Sequence, residues 1–242
     1  MGAILTTSAI ALTIVWVLRG GADARSGDIS RAWTHPASVR LQNVDLGGQQ
    51  LPDAQLNGAD LSGSVLAHTN LTGAQLRGAT LTDVDLSYAD LSGANLRFVR
   101  LLGARLSRTN LGGAQLGLAN LRQVDGGGTE LSAVQAKGAD FTGARLPGAR
   151  FVAAQLGDVT FISASLAHAD LRGSCLRDAD LRGADLTAAD FTAADVKGAD
   201  IRGASLTRAT FSGTVADDHT RWPGKRPAVG IVEDAHDMDP GC

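Results

Sequence analysis

Aromatic side chains are nearly missing from this chain, whose 242 residues hold six Phe, three Trp and one Tyr. A globular core that draws its burial from rings is thereby excluded, and Leu and Ala must fill a thin, repetitive interior. Cysteine is equally scarce. Cys175 and Cys242 are too few for a disulfide framework or a four-thiolate zinc site, and a reducing compartment is the simpler expectation. Charge of one sign is lacking too: 22 Lys plus Arg oppose 25 Asp plus Glu, a formal net charge of -3. No global field therefore points to nucleic acid or to an acidic substrate.

What the chain does have is a period. A bulky apolar residue stands at every fifth position, from Leu41, Leu46, Leu51 and Leu56 through to Ile201, Leu206 and Phe211. Of these 35 centres only Gly126 and Ala136 are small, while Phe141, Phe151, Phe161, Phe191, Val196, Ile201 and Phe211 replace Leu. Two positions before each centre sits a small or β-branched residue, usually Ala, as at Ala54, Ala59 and Ala74. Gly is frequent two positions after it, as at Gly58, Gly63 and Gly73, where a corner needs permissive dihedrals.

A period of five fits neither regular element. At about 100° per residue a helix would spread successive leucines around its cylinder. A straight strand would point residues five apart to opposite faces. The chain must turn once per repeat, with the small residue and the Leu inward and the residue between them outward.

The unit seen in Ala59-Asp60-Leu61-Ser62-Gly63, Ala94-Asn95-Leu96 and Ala184-Asp185-Leu186 resembles that of the pentapeptide-repeat family. The likeness covers residues 39–215. It implies an all-β fold, a right-handed quadrilateral β-helix with four repeats per coil and the Leu and Ala columns inside. The sequence carries an independent sign of four sides, because Gln55, Gln75, Asn95, Gln115, Gln135 and Gln155 recur every 20 residues. Stacked amides of this kind can hydrogen-bond from rung to rung. About nine coils follow, a rod about 40 Å long at an inter-strand spacing of about 4.8 Å. At Gly126 to Gly128, and again at Ala136, a loosened or bulged coil is expected, since a missing Leu leaves a cavity.

Both ends depart from the repeat. Residues 1–19 read as an apolar helix and membrane anchor, because residues 1–18 carry no charged side chain, are apolar from Ala3 to Leu18 apart from Thr6, Thr7, Ser8 and Thr13, and span about 27 Å as a helix. Trp16 and Arg19 suit the membrane boundary, and the later arginines place the rod on the cytoplasmic side of the cell membrane. The same segment also fits a cap on the solenoid or a cleaved signal peptide, and without an anchor the protein would be soluble in the cytoplasm. Residues 20–38 read as a linker. Residues 216–242 form a C-terminal cap, with Trp222 plugging the last coil, and a flexible tail.

Chemistry is hard to find. His68 and His168 share a corner column but lie five coils apart, about 24 Å, far beyond the reach of one metal ion. The repeated aspartates, among them Asp170, Asp180, Asp185, Asp190, Asp195 and Asp200, are placed to bond the turn backbone. Cys175 falls at an outward position with no activating base. The sequence therefore predicts no catalytic residue, no metal and no cofactor, and the chain is not expected to be an enzyme.

Exposed apolar positions offer the better lead. Phe98 and Leu118 sit one coil apart at one corner, with Leu102 on the adjoining side, and these three form the candidate protein-interaction patch. Val152 and Ile162 are weaker candidates. The expected function is a non-enzymatic scaffold, membrane-tethered, for an unidentified protein partner, with self-association as a homo-oligomer open to such a rod. The family resemblance implies one alternative, a DNA mimic that binds DNA gyrase and confers resistance to topoisomerase inhibitors. That role demands sustained negative columns, whereas residues 41–215 carry 17 acidic and 15 basic side chains. Nucleic acid itself is not expected as a partner. An ion placed in the bore has no partner there, so Leu91→Asp is expected to abolish the β-type circular dichroism of the neighbouring coils; an unchanged spectrum and melting temperature would refute the inward placement of the leucines.

Overall fold

The computed structural model describes residues 40–225, 227 and 231–233. The apolar helix expected over residues 1–19 and the linker over 20–38 lie outside the described residues. Among the described residues no helix is long and apolar enough to cross a membrane.

The chain winds as a four-sided parallel β-helix with a coil of 20 residues. Parallel bridges join each outward residue to the one a full coil later, as Arg40 to Asp60, Gln55 to Gln75 and Asp195 to Val215. On the side centred on Leu91, every N–H has an acceptor. Leu91 donates to the carbonyl of Asn110 (2.7 Å) and Gly93 to that of Gly112 (2.9 Å) in the coil ahead, while Asp90 donates to Thr69 (2.9 Å) in the coil behind. Ala94 closes the corner onto the Leu91 carbonyl at 3.0 Å. The remaining donor, Ser92, bonds the Asp90 carboxylate at 2.9 Å. Backbone groups shut away from water must be paired, and this five-residue scheme pairs them all.

The corners explain the glycines. Each side contains one residue with φ between 54° and 72°, two positions after the centre, and 17 of these are Gly while 18 are not. A four-residue turn with positive φ only at its third position is type II, which favours Gly or Asn there and Pro just before; Leu146-Pro147-Gly148-Ala149 follows that rule, with Gly148 at φ 65°. Non-Gly residues such as His68, Tyr88, Phe98 and Leu118 adopt the left-handed conformation at the same site.

The bore is filled by the Leu and Ala columns, nearly all fully buried. Where Thr replaces Ala its hydroxyl donates to a carbonyl one coil back, as Thr69 to Leu46 (2.8 Å), Thr109 to Leu86 (2.8 Å) and Thr214 to Phe191 (2.7 Å). Phe141 and Phe161 stack with centroids 4.9 Å apart, and Phe151 meets both edge-on at 6.1 and 5.6 Å.

The loosened coil expected at Gly126 is absent. Asp125 bridges Arg105 and Arg145 in unbroken register, and Gly126 N–H bonds the Arg145 carbonyl at 2.8 Å. A Cβ at Gly126 would lie 2.6 Å from Thr129 Oγ1 and 2.9 Å from Leu146 Cδ2. Neighbouring side chains have closed in on the missing leucine, and a side chain restored there would have to displace them.

The last coil breaks phase. Asp200 pairs with Arg221, one residue beyond a full coil. Trp222 packs edge-on against Phe211 at 5.5 Å, and Phe211 stacks on Phe191 at 5.1 Å. Strand β1 (Thr214–Ala216) then pairs in parallel with β2 (Ile231–Glu233), matching Val215 to Val232. Nothing in the repeat announces β2.

Because the space at Gly126 is occupied, Gly126→Leu restores the repeat consensus yet should destabilise the rod by roughly 1–3 kcal/mol through overpacking. Urea unfolding is the check, and a gain in stability would mean that a usable void exists there.

Candidate interaction surface

One of the four sides differs from the others. Its outward column runs through Gln115, Gln135 and Gln155, and its next position, just past the centre, carries Arg77, Arg97, Lys137, Arg177 and Lys197. We call this side the amide face. An open groove of about 700 Å³ lies along it, lined by Arg97, Gln115, Leu118, Gln135, Lys137 and Gln155 among others. A smaller hollow of about 310 Å³ shares Lys137 and Gln155 and continues to Cys175 and Arg177.

The expected amide ladder forms only in part. Asn95 Nδ2 donates to Gln75 Oε1 at 3.2 Å, whereas Gln55 and Gln75 turn their own amides onto backbone carbonyls at 2.9 and 3.0 Å. The side chains of Gln115, Gln135 and Gln155 make no hydrogen bond among the described residues. Three carboxamides, each able to donate and accept, are therefore presented to the groove at the rung spacing.

The apolar candidates divide. Phe98 is 39% exposed and Leu118 60% exposed, on the corner beside the basic column. Arg77 and Arg97 place their guanidinium carbons 5.3 and 5.8 Å from the Phe98 ring centroid, within cation–π range. Leu118 reaches over Gly138, where a Cβ would be 2.8 Å from Leu118 Cδ2. Leu102 is also 39% exposed, but it sits at the far corner of the next side, with Arg100 on the surface between it and Phe98. Val152 and Ile162 are half-buried. Tyr88, 53% exposed, stacks on His68 at 4.9 Å and was not singled out from the sequence. The basic column was missed as well, although sorting the chain by twenties would have exposed it.

The aspartates serve the turns. Asp60 accepts from the Ser62 N–H and hydroxyl at 3.0 and 2.6 Å, and Ser62 holds its carboxyl below the usual carboxylate value. Hydrogen bonds from Arg172, Arg182 and Arg202, with nitrogen–oxygen distances of 2.6–2.7 Å, are the main cause that lowers Asp170, Asp180 and Asp200. Among the described residues no three His, Cys, Asp or Glu gather as a metal site.

Cys175 corrects an expectation. It occupies the outward position predicted for it, bridging Gln155 and Asp195, yet it is only 6% exposed and its sulfur is in a disulfide bond. An accessible, reduced thiol is not what the fold holds. The repeat places the residue but carries no information about what lies over it.

The sequence matches the family model described as pentapeptide repeats over residues 40–78, 59–97, 85–123, 127–162, 164–203 and 184–215. Among solved structures it is similar to HetL, a pentapeptide repeat protein involved in heterocyst differentiation regulation from the cyanobacterium Nostoc sp. The two are 32% identical over 80% of this chain and 98% of that one, with a TM-score of 0.44. It is also similar to QnrB1, a plasmid-mediated fluoroquinolone resistance protein, at 18% identity over 73% of this chain and 92% of that one (TM-score 0.37). A pentapeptide repeat protein from the Arabidopsis thaliana thylakoid lumen is 24% identical over 66% and 77% (TM-score 0.20). The sequence has no significant match among curated proteins.

The arginine-held carboxylates set an acid limit. A carboxylate lowered on folding stabilises the fold above its unfolded value, 3.8 for Asp, and that contribution is lost as pH falls through the folded value. Melting temperature should hold from neutrality to about pH 4 and then decline. Replacing Arg172, Arg182 and Arg202 together by Gln should lower it at pH 7 by an amount that shrinks below about pH 4; a pH-independent difference would assign the arginines a packing role instead.

Proposed function

The chain belongs to the pentapeptide-repeat family, whose fold is a right-handed β-helix, and from that premise we propose that its rod is a non-enzymatic scaffold holding another protein along the amide face. The observation that carries this reading is the groove, where Gln115, Gln135 and Gln155 line up beside Arg97, Lys137 and the exposed Leu118. Amides that donate and accept suit the backbone of an extended segment, the cations select acidic side chains, and Leu118 with Phe98 supplies an apolar anchor. Membrane tethering through residues 3–18, with the rod on the cytoplasmic side, belongs to the same proposal and rests on sequence alone.

A gyrase-directed DNA mimic is the competing reading. It needs runs of uncompensated negative charge along the rod. Asp170, Asp180 and Asp200 instead lie against Arg172, Arg182 and Arg202, and the larger groove is lined by Arg97 and Lys137 with no carboxylate.

Affinity capture from native membranes with the full chain tests the proposal. Phe98→Asp and Leu118→Asp together should weaken partner capture by about tenfold or more, the scale of a lost interface anchor, while circular dichroism stays unchanged. Capture unaffected by both changes removes the amide face from consideration. Inhibition of gyrase supercoiling at stoichiometric concentration would establish the DNA-mimic reading in its place. Release of the full chain from membranes by salt alone would remove the anchor.

A further inference from the structure

The amide face has a second period laid over that of the coil. Along the column just past its centres, long cations alternate with glycine from rung to rung, as Arg97, Gly117, Lys137 and Gly157. Neither glycine is required by the backbone, since neither is among the residues of positive φ. Crowding does not require them either. A Cβ at Gly117 would meet nothing nearer than the Lys137 carbonyl at 3.9 Å, and one at Gly157 nothing nearer than the Arg177 carbonyl at 3.9 Å. Both positions are open notches, and Gly117 lies in the larger groove. Cations and notches thus each recur at every second rung, about 9.6 Å apart at the inter-strand spacing.

That spacing selects among conformations for a segment lying along the groove. A β-strand returns a side chain to one face every two residues, about 6.7 Å, and falls out of step at once. An α-helix returns after seven residues, about 10.5 Å, and its peptide groups are bonded within itself, so the carboxamides of Gln115, Gln135 and Gln155 would find no backbone partner. A polyproline-II helix advances about 9.3 Å per turn of three residues and leaves its backbone carbonyls free. Its turn matches the notches, and its carbonyls suit amide donors. The four rungs from Arg97 to Gln155 cover about 14 Å, the length of about five residues in that conformation. Leu118, 60% exposed, stands on the corner between the two cations, where proline rings can rest on it. Charge fits as well, because the larger groove is lined by Arg97 and Lys137 and by no carboxylate. Lys137 does have a partner, Asp158 at 3.4 Å, but these side chains are 79% and 53% exposed. A pair so exposed is worth little, and another carboxylate can take its place.

We infer that the groove binds a proline-rich, acidic segment of another protein in the polyproline-II conformation, with Asp or Glu at every third position. The side chains at i and i+3 drop into the notches at Gly117 and Gly157, their carboxylates beside Arg97 and Lys137. The glutamine carboxamides bond the carbonyls between them, and the prolines pack on Leu118. This names the partner of the amide face and rests on the scaffold reading above.

The test is calorimetric titration of the full chain with capped synthetic peptides. A peptide of four Glu-Pro-Pro units should bind. One of the same composition with its Glu residues unevenly spaced should bind about tenfold more weakly, as should one of Gln-Pro-Pro units. Gly117→Leu, which fills a notch, should abolish binding while circular dichroism and melting temperature hold. Arg97→Gln with Lys137→Gln leaves both notches open and decides independently; it should cost about tenfold and flatten the salt dependence. Equal affinity for the evenly and unevenly spaced peptides, or undiminished binding by either variant, would overturn the inference. Failure of the Glu-Pro-Pro peptide to bind at about 1 mM, with partner capture still dependent on Phe98 and Leu118, overturns this inference alone. Capture that ignores Phe98 and Leu118 removes the amide face and the inference with it.

Discussion

The constraint behind everything in this molecule is that three of the five backbone N–H groups on a side such as that of Leu91 find their partner one coil away. A helix satisfies its peptide groups within itself and a sheet satisfies them between separate strands. Here the chain must return to its own previous turn, and the return works only if every circuit uses the same number of residues. Twenty-residue spacing from Arg40 to Val215 is the expression of that demand. Insertion of one residue would leave a whole circuit of donors facing the wrong acceptors. The side chains follow from the backbone: the inward pair must be small and then branched because the square is narrow, and the outward residue is left free to vary.

That division of labour decides what could be read from the residues. The bore was legible because burial imposes the same choice at every circuit, so Leu91 or Ala94 announces its position through dozens of copies. The turn role of Asp185 and Asp190 was legible for the same reason. The Gly126 coil was misjudged because the repeat shows a missing leucine but not the Thr129 hydroxyl and Leu146 methyl that close over it. The outward surface was legible only as columns. Which amides bond one another, as Asn95 does Gln75, and which face solvent, as Gln135 does, depends on rotamers that no periodicity encodes.

The amide face gains its character from position rather than from any unusual residue. Glutamine, arginine and leucine are ordinary surface residues, and scattered over a globule they would mean little. Stacking at a fixed rung spacing turns them into a strip with one chemistry. The same stacking that makes the interior monotonous lets the exterior carry a long, straight pattern, and Cys175 and Asp195 mark where that pattern is interrupted.

The out-of-phase closure at Arg221 and β2 has a consequence for the solution behaviour of such a rod. A solenoid cut off mid-circuit presents a square of unsatisfied donors and acceptors, an ideal template on which another molecule could dock and propagate into a filament. A step of 21 residues from Asp200 to Arg221, followed by one of 17 from Val215 to Val232, together with Trp222 across the opening, leaves no in-register square to copy. By mispairing its own final turn, the described C-terminal end of the rod denies polymerisation an in-register seed there.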